Sequence, residues 1–168
     1  RMTMSMYNAL VPGLSNTLQA LSAVLAKGAA HCEARKIDPN ALLQSRVFPD
    51  MFPLTRQVQI ACDMAKGGVA RLAGVDNPKF DDSETTFEQL QDRIARTLAF
   101  MHSVSPDQID GSEAKVITLP LPSRTLEFTG QQYLTTFVIP NVYFHATTAY
   151  NLLRQGGVDI GKRDFLGG

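Results

Sequence analysis

Tryptophan is absent from this chain of 168 residues, cysteine occurs twice, histidine three times, and sixteen basic side chains are cancelled by sixteen acidic ones. Two cysteines make no disulfide framework at this length, so stability has to come from a core, and 44% hydrophobic residues is enough for one. With zero net charge and only 19% charged residues, there is no clustered basic surface to release counterions from a phosphate backbone, which argues against nucleic acid as a partner. No apolar run approaches the roughly 20 residues that cross a bilayer, and the opening Arg1-Met2-Thr3-Met4-Ser5-Met6 lacks the apolar centre of a signal peptide. The expectation is a cytoplasmic chain with no membrane association, folded as a single domain over residues 1–168, with Arg1 an addition ahead of Met2. Also missing are a phosphate-binding glycine loop, a His-Glu-x-x-His pair, a Cys-x-x-Cys pair and a nucleophile elbow. Most enzyme classes lose support with them.

What is present is helical periodicity. From Tyr7 to about Arg35, Leu10, Val11, Leu14, Leu18, Leu21, Val24 and Leu25 recur at three-and-four spacing. Pro12 lies early in this run, so the helix is expected to start there or to kink there. Asp38-Pro39-Asn40 reads as an N-cap and first turn of a short helix through Gln44. Pro49 and Pro53 predict an extended loop around Asp50-Met51-Phe52, which either walls a cleft or plugs the bundle end. A second long helix follows, with Leu54, Val58, Ala61, Cys62, Ala65, Val69 and Leu72 on one face and Gly74 as its stop. Thr86 with Gln89 predicts a capping box for a third, Phe87 to about Ser103. Val116–Leu119 and Thr125–Phe128 alternate as strands of a small hairpin, held to an edge by Pro120 and Pro122. A fourth helix from about Gln131 to Gln155 carries Pro140, which predicts a kink between Phe137 and Asn141. Gly156-Gly157 ends it. Four amphipathic helices and one hairpin pack most economically as an all-α four-helix bundle with a β-hairpin inserted before the last helix.

Candidate chemistry centres on His145. His31 and His102 fall at helix ends with polar neighbours and read as solvated, whereas His145 lies mid-helix one turn after Asn141, so both polar groups point the same way. A buried imidazole needs a partner. Either Asn141, or a Thr or Tyr of a facing helix, satisfies it, or the pair lines a ligand pocket. Tyr143 and Tyr150 share a face with each other and read as core tyrosines with satisfied hydroxyls. Cys62 sits on an apolar stripe and reads as an inert buried thiol. Lys162-Arg163-Asp164 reads as an ion network that holds the C-terminal tail.

The stretches Pro49-Asp50-Met51-Phe52-Pro53-Leu54, Gln57-Val58-Gln59, Pro140-Asn141, Phe144-His145, Ala149-Tyr150 and Lys162-Arg163-Asp164-Phe165-Leu166-Gly167 resemble an uncharacterised bacterial and fungal branch of the DinB/YfiT-like superfamily, the domain-of-unknown-function family numbered nineteen ninety-three. The resemblance spans nearly the whole chain. It implies a DinB-like bundle, commonly dimeric, and in many members a divalent metal held by one histidine of the second helix and a His-x-x-x-His pair of the last. Here that pair reads Asn141-x-x-x-His145, and the second-helix window Ile60-Ala61-Cys62-Asp63 has no histidine. An amide and a thiol are a poor joint match for any one metal, so tight metal binding is not expected.

The resemblance therefore implies a degenerate metal-site cleft that takes a small molecule or partner, lined by His145, Asn141, Cys62, Asp63 and Tyr143, with no cofactor. The alternatives are a metal-dependent transferase or hydrolase, with Zn or Ni on His145, Asn141 and Asp63, and a structural homodimer module.

Overall fold

The computed structural model describes residues 3–168; Arg1 and Met2, and with them the reading of Arg1 as an addition, lie outside the described residues. Four long helices dominate: α1 (Met6–Arg35), α3 (Leu54–Ala73), α4 (Phe87–Ser103) and α7 (Ile139–Gln155). Shorter pieces join them: α2 (Asn40–Leu43), α5 (Pro106–Ile109), α6 (Gly130–Gln132) and α8 (Lys162–Phe165). Strands β1 (Val116–Pro120) and β2 (Thr125–Thr129) form one antiparallel hairpin, in register from Val116 opposite Thr129 to Pro120 opposite Thr125.

Around the bundle the helices follow the order α1, α4, α3, α7, each packed on the next, with α7 closing back on α1. Chain neighbours α1 and α3 are therefore diagonal, and the segment carrying α2 crosses one bundle end to join them. The core is built where the apolar stripes meet: Leu10, Leu14, Leu18, Leu21 and Leu25 of α1 are within 1% of full burial, as are Val58 and Leu90 of the facing helices. By length and composition α1 is apolar enough to cross a membrane, contrary to the expectation from runs alone. Its leucine stripe is instead consumed by the core.

Pro12 does not start α1. Ser5 caps the helix by accepting a hydrogen bond from the Asn8 N–H at 3.1 Å, and the chain runs helically through an exposed Pro12. The capping of α4 is shifted by one residue: Thr86 Oγ1 accepts from the Gln89 N–H, but Gln89 Oε1 accepts from the Thr85 N–H. Phe52 does not plug the bundle, since half of it is exposed and Arg56 lies over its ring, 5.6 Å from the centroid. The tail is tied to α1 by Lys27, whose ammonium meets Asp164 at 2.8 Å, and by Asn16, which donates to the Leu166 carbonyl.

Candidate functional site

The last helix changes pitch before it reaches the candidate residues. Between α6 and α7 the chain winds as a π-helix, Tyr133–Val138. The Ile139 N–H bonds the Leu134 carbonyl five residues back, and Pro140, next in line, has no N–H to give. Side chains of the same helix return to its carbonyls: Thr135 Oγ1 donates to Gln131, Thr136 Oγ1 to Gln132, and Asn141 Nδ2 to Phe137 at 2.7 Å. Asn141 is thus committed to its own backbone and does not pair with His145.

His145 reaches across to α3. Its Nδ1 lies 2.7 Å from Gln57 Oε1, and Gln57, only 2% exposed, donates through Nε2 to the Phe52 carbonyl at 3.1 Å. That second bond orients the amide so that its oxygen faces the imidazole. Nδ1 must then carry the hydrogen, which leaves the Nε2 lone pair without a partner among the described residues. Burial pushes the His145 pKa below its ordinary 6.5, and the Arg56 charge lowers it further, so the ring is neutral at pH 7. Phe144, largely exposed, stands edge-on to it with the ring centroids 5.0 Å apart.

The other candidate residues lie elsewhere. Asp63 is six positions from Gln57, roughly 240° around α3 and about 9 Å along it, and its Oδ1 accepts from Arg93 Nη2 of α4 at 2.9 Å. Arg93 has no solvent exposure; it also bonds both oxygens of buried Glu84, at 2.9 and 3.1 Å, and the Asp81 carbonyl. Burial alone would lower its pKa, but hydrogen bonds to Glu84 and Asp63 more than offset that and hold it above the usual value. Cys62 is fully buried beside Thr97, and burial pushes its thiol up to about 12. Tyr143 is 43% exposed and sends its hydroxyl toward Gly13 of α1.

The structure thus brings Cys62 and Asp63 to the α3–α4 seam and His145 to the α3–α7 seam; Asn141, one turn before His145 on α7, is bonded to the Phe137 carbonyl, and Tyr143 faces α1. No group of three His, Cys, Asp or Glu side chains that could hold a metal ion occurs among the described residues. The set His145, Asn141 and Asp63 is not assembled, because the first is bonded to Gln57, the second to the Phe137 carbonyl and the third to Arg93. These residues do not fit a Zn or Ni centre. Gln57 and Arg93 were not among the candidates. Their signal was present all the same, since each is a polar residue at helical spacing from core positions, Gln57 from Leu54 and Ala61, Arg93 from Leu90 and Thr97.

A four-helix bundle with a small hairpin before the last helix is a DinB-like fold. A crystal structure of a DinB family member protein from Shewanella denitrificans is similar at a TM-score of 0.87 and 44% identity, over 96% of this chain and 92% of that one. The family model for the domain of unknown function DUF1993 matches residues 6–166, and the chain belongs to that family. Comparison with curated proteins gives no match.

Proposed function

We propose that this protein binds a small polar molecule, without a metal, at the mouth between α3 and α7, where His145 Nε2 accepts a hydrogen bond from the ligand. The carrying observation is the relay Phe52 carbonyl, Gln57 amide, His145 Nδ1, which sets one tautomer and leaves the Nε2 lone pair without a partner among the described residues. A single neutral imidazole beside an amide is a hydrogen-bonding point and a poor chelate. Phe144 beside His145 and Phe52 beneath Arg56 are exposed and offer apolar contact to a ligand. The two free thiols, Cys32 and Cys62, accord with a reducing, cytoplasmic setting.

The test joins three measurements on purified protein. Plasma emission should find far less than one equivalent of Zn or Ni, nitrogen-15 NMR should show His145 protonated on Nδ1, and a metabolite thermal-shift screen should yield hits lost in His145→Ala. A tightly held stoichiometric metal, or the opposite tautomer, overturns the reading.

The exposure of Phe52 and Phe144, 52% and 56%, supports a second reading in which two copies pair over this end. Sedimentation equilibrium then shows a dimer that Phe144→Glu dissociates; a monomeric wild type, or a dimer indifferent to the change, removes it.

A further inference from the structure

A second cavity, of about 390 Å³, opens between the C-terminal half of α3, the loop over residues 77–82 and the hairpin tip. We propose that it binds a small organic monocarboxylate with an apolar body: Arg71 and Lys66 take the carboxylate, while Phe80, Phe137, Leu119 and Leu121 receive the rest. Its volume lies within the range of small-molecule sites.

The charges in this cavity are unbalanced. Asp63 and Asp82 stand on its wall, but both are held by Arg93 at 2.9 Å, and Asp82 also by Arg56 at 3.2 Å. Lys66, Arg71 and Lys79 face the same space. The nearest carboxylate to Lys66 is Asp63 at 3.8 Å, and the ammonium, 5% exposed, otherwise donates to the Pro78 carbonyl and lies over the Phe80 ring, 4.2 Å from its centroid. Arg71 has a neutral partner, the Tyr133 hydroxyl at 3.0 Å, and no ion pair among the described residues. Burial pushes the Lys66 pKa down, a cost that an incoming anion relieves. Phe80, Phe137, Leu119 and Leu121 offer no hydrogen-bond donor to the further oxygens of a phosphate ester, which selects a monocarboxylate with an apolar body.

The backbone leaves room for Arg71 to fold back over it. Gly67 lies inside α3, where glycine costs about 1 kcal/mol relative to alanine, and a Cβ there would stand 2.5 Å from Arg71 Nη1. Its absence lets the guanidinium fold back along the helix. The π-helix supplies the other wall: Tyr133 and Phe137 stack at 5.7 Å and 17°, one anchoring Arg71 and the other lining the cavity. Wide turns of this kind occur frequently at functional sites.

The site is separate from the one at His145, since Gln57 and Lys66 are nine residues apart on α3, on opposite faces. The test is calorimetric titration of the full chain with 4-phenylbutyrate, phenylacetate and hexanoate, with phenyl phosphate and inorganic phosphate as comparison anions. Saturable carboxylate binding is expected, weaker for both phosphates, and reduced roughly tenfold or more by Arg71→Met, the factor a lost charge-assisted bond carries. Gly67→Ala, which favours the helix but displaces the guanidinium, should weaken it too, and Arg71→Lys should fall between. His145→Ala leaves it unchanged, so this proposal and the reading at the α3–α7 mouth fail independently. No saturable binding of any carboxylate probe, tighter binding of the phosphates, or full affinity in both Arg71→Met and Gly67→Ala overturns the proposal.

Discussion

Arg93 on α4 and Asp63 on α3 meet at 2.9 Å across the seam between their helices, although the arginine side chain is wholly buried. The same guanidinium holds Glu84, itself 4% exposed, and the loop carbonyl of Asp81, while Gln59 donates to the second Glu84 oxygen. One cation thereby fastens the 76–86 loop to two helices. It also removes Asp63 from any metal set.

Replacing Arg93 with methionine keeps most of the volume and strands Glu84 as an uncompensated buried charge. Breaking a buried pair from one side costs about 3–5 kcal/mol, so urea denaturation of Arg93→Met should shift by that order, with amide exchange accelerated first in the 76–86 loop. A midpoint equal to wild type would show that the network contributes nothing to stability.

The relay at the α3–α7 mouth predicts a ranking among the histidines. His145→Ala leaves Gln57 Oε1 unpaired at a nearly buried position, a cost of about 1–3 kcal/mol. His102 is exposed, with one bond to Ser15 at 3.1 Å, so His102→Ala should stay within about 0.5 kcal/mol of wild type. Equal losses in thermal melts would contradict the ranking.

Acid should single out the same residue. The folded pKa of His145 lies below the unfolded 6.5, so on acidification the unfolded chain takes up its proton first. The resulting stability is full above about 6.5 and is lost as pH falls through that value toward the folded pKa. Wild type should lose more stability than His145→Gln between pH 7.5 and pH 5. Parallel stability curves for the two proteins would show that the imidazole is not buried in the folded state.

Much of this was legible because helical periodicity is local. The boundaries of α3, α4 and the hairpin fall within a residue or two of their apolar and turn signals, since each is written in consecutive residues. The misreadings have physical causes. Pro12 was tolerated because its ring and the carbonyl it leaves unpaired lie on the solvent side of α1. Asn141 turns back to the Phe137 carbonyl and His145 reaches Gln57, so two residues one turn apart on α7 do not pair with each other. The partner of His145 is 88 residues away in sequence, and no local pattern announces such a contact. Asp63 and Gln57 differ by six positions, enough to turn one toward α4 and the other toward α7.

Cys62 tests the packing of the α3–α4 seam. Its thiol is fully buried and pushed up to about 12, and Cys32 is only 2% exposed, so neither presents a thiolate at pH 8. A disulfide reagent should label neither cysteine in the native protein and both in urea. Rapid native labelling of Cys62 would mean that the seam opens readily.

The tightest approach between α3 and the π-helix is at Gly68, where a Cβ would lie 2.6 Å from Val138 Cγ1 and 3.0 Å from Cγ2. Alanine there gains about 1 kcal/mol of helix propensity, yet both partners are in packed core and Val138 is fully buried. Overpacking of this kind costs about 1–3 kcal/mol, so Gly68→Ala should be neutral to destabilising despite its propensity. Val138→Ala alone leaves a cavity, at roughly 2 kcal/mol. In the double variant the new methyl fills part of that cavity, and the loss should be smaller than the sum of the two. Additive losses in the denaturation cycle would mean that glycine is not needed at position 68 to seat the π-helix against α3.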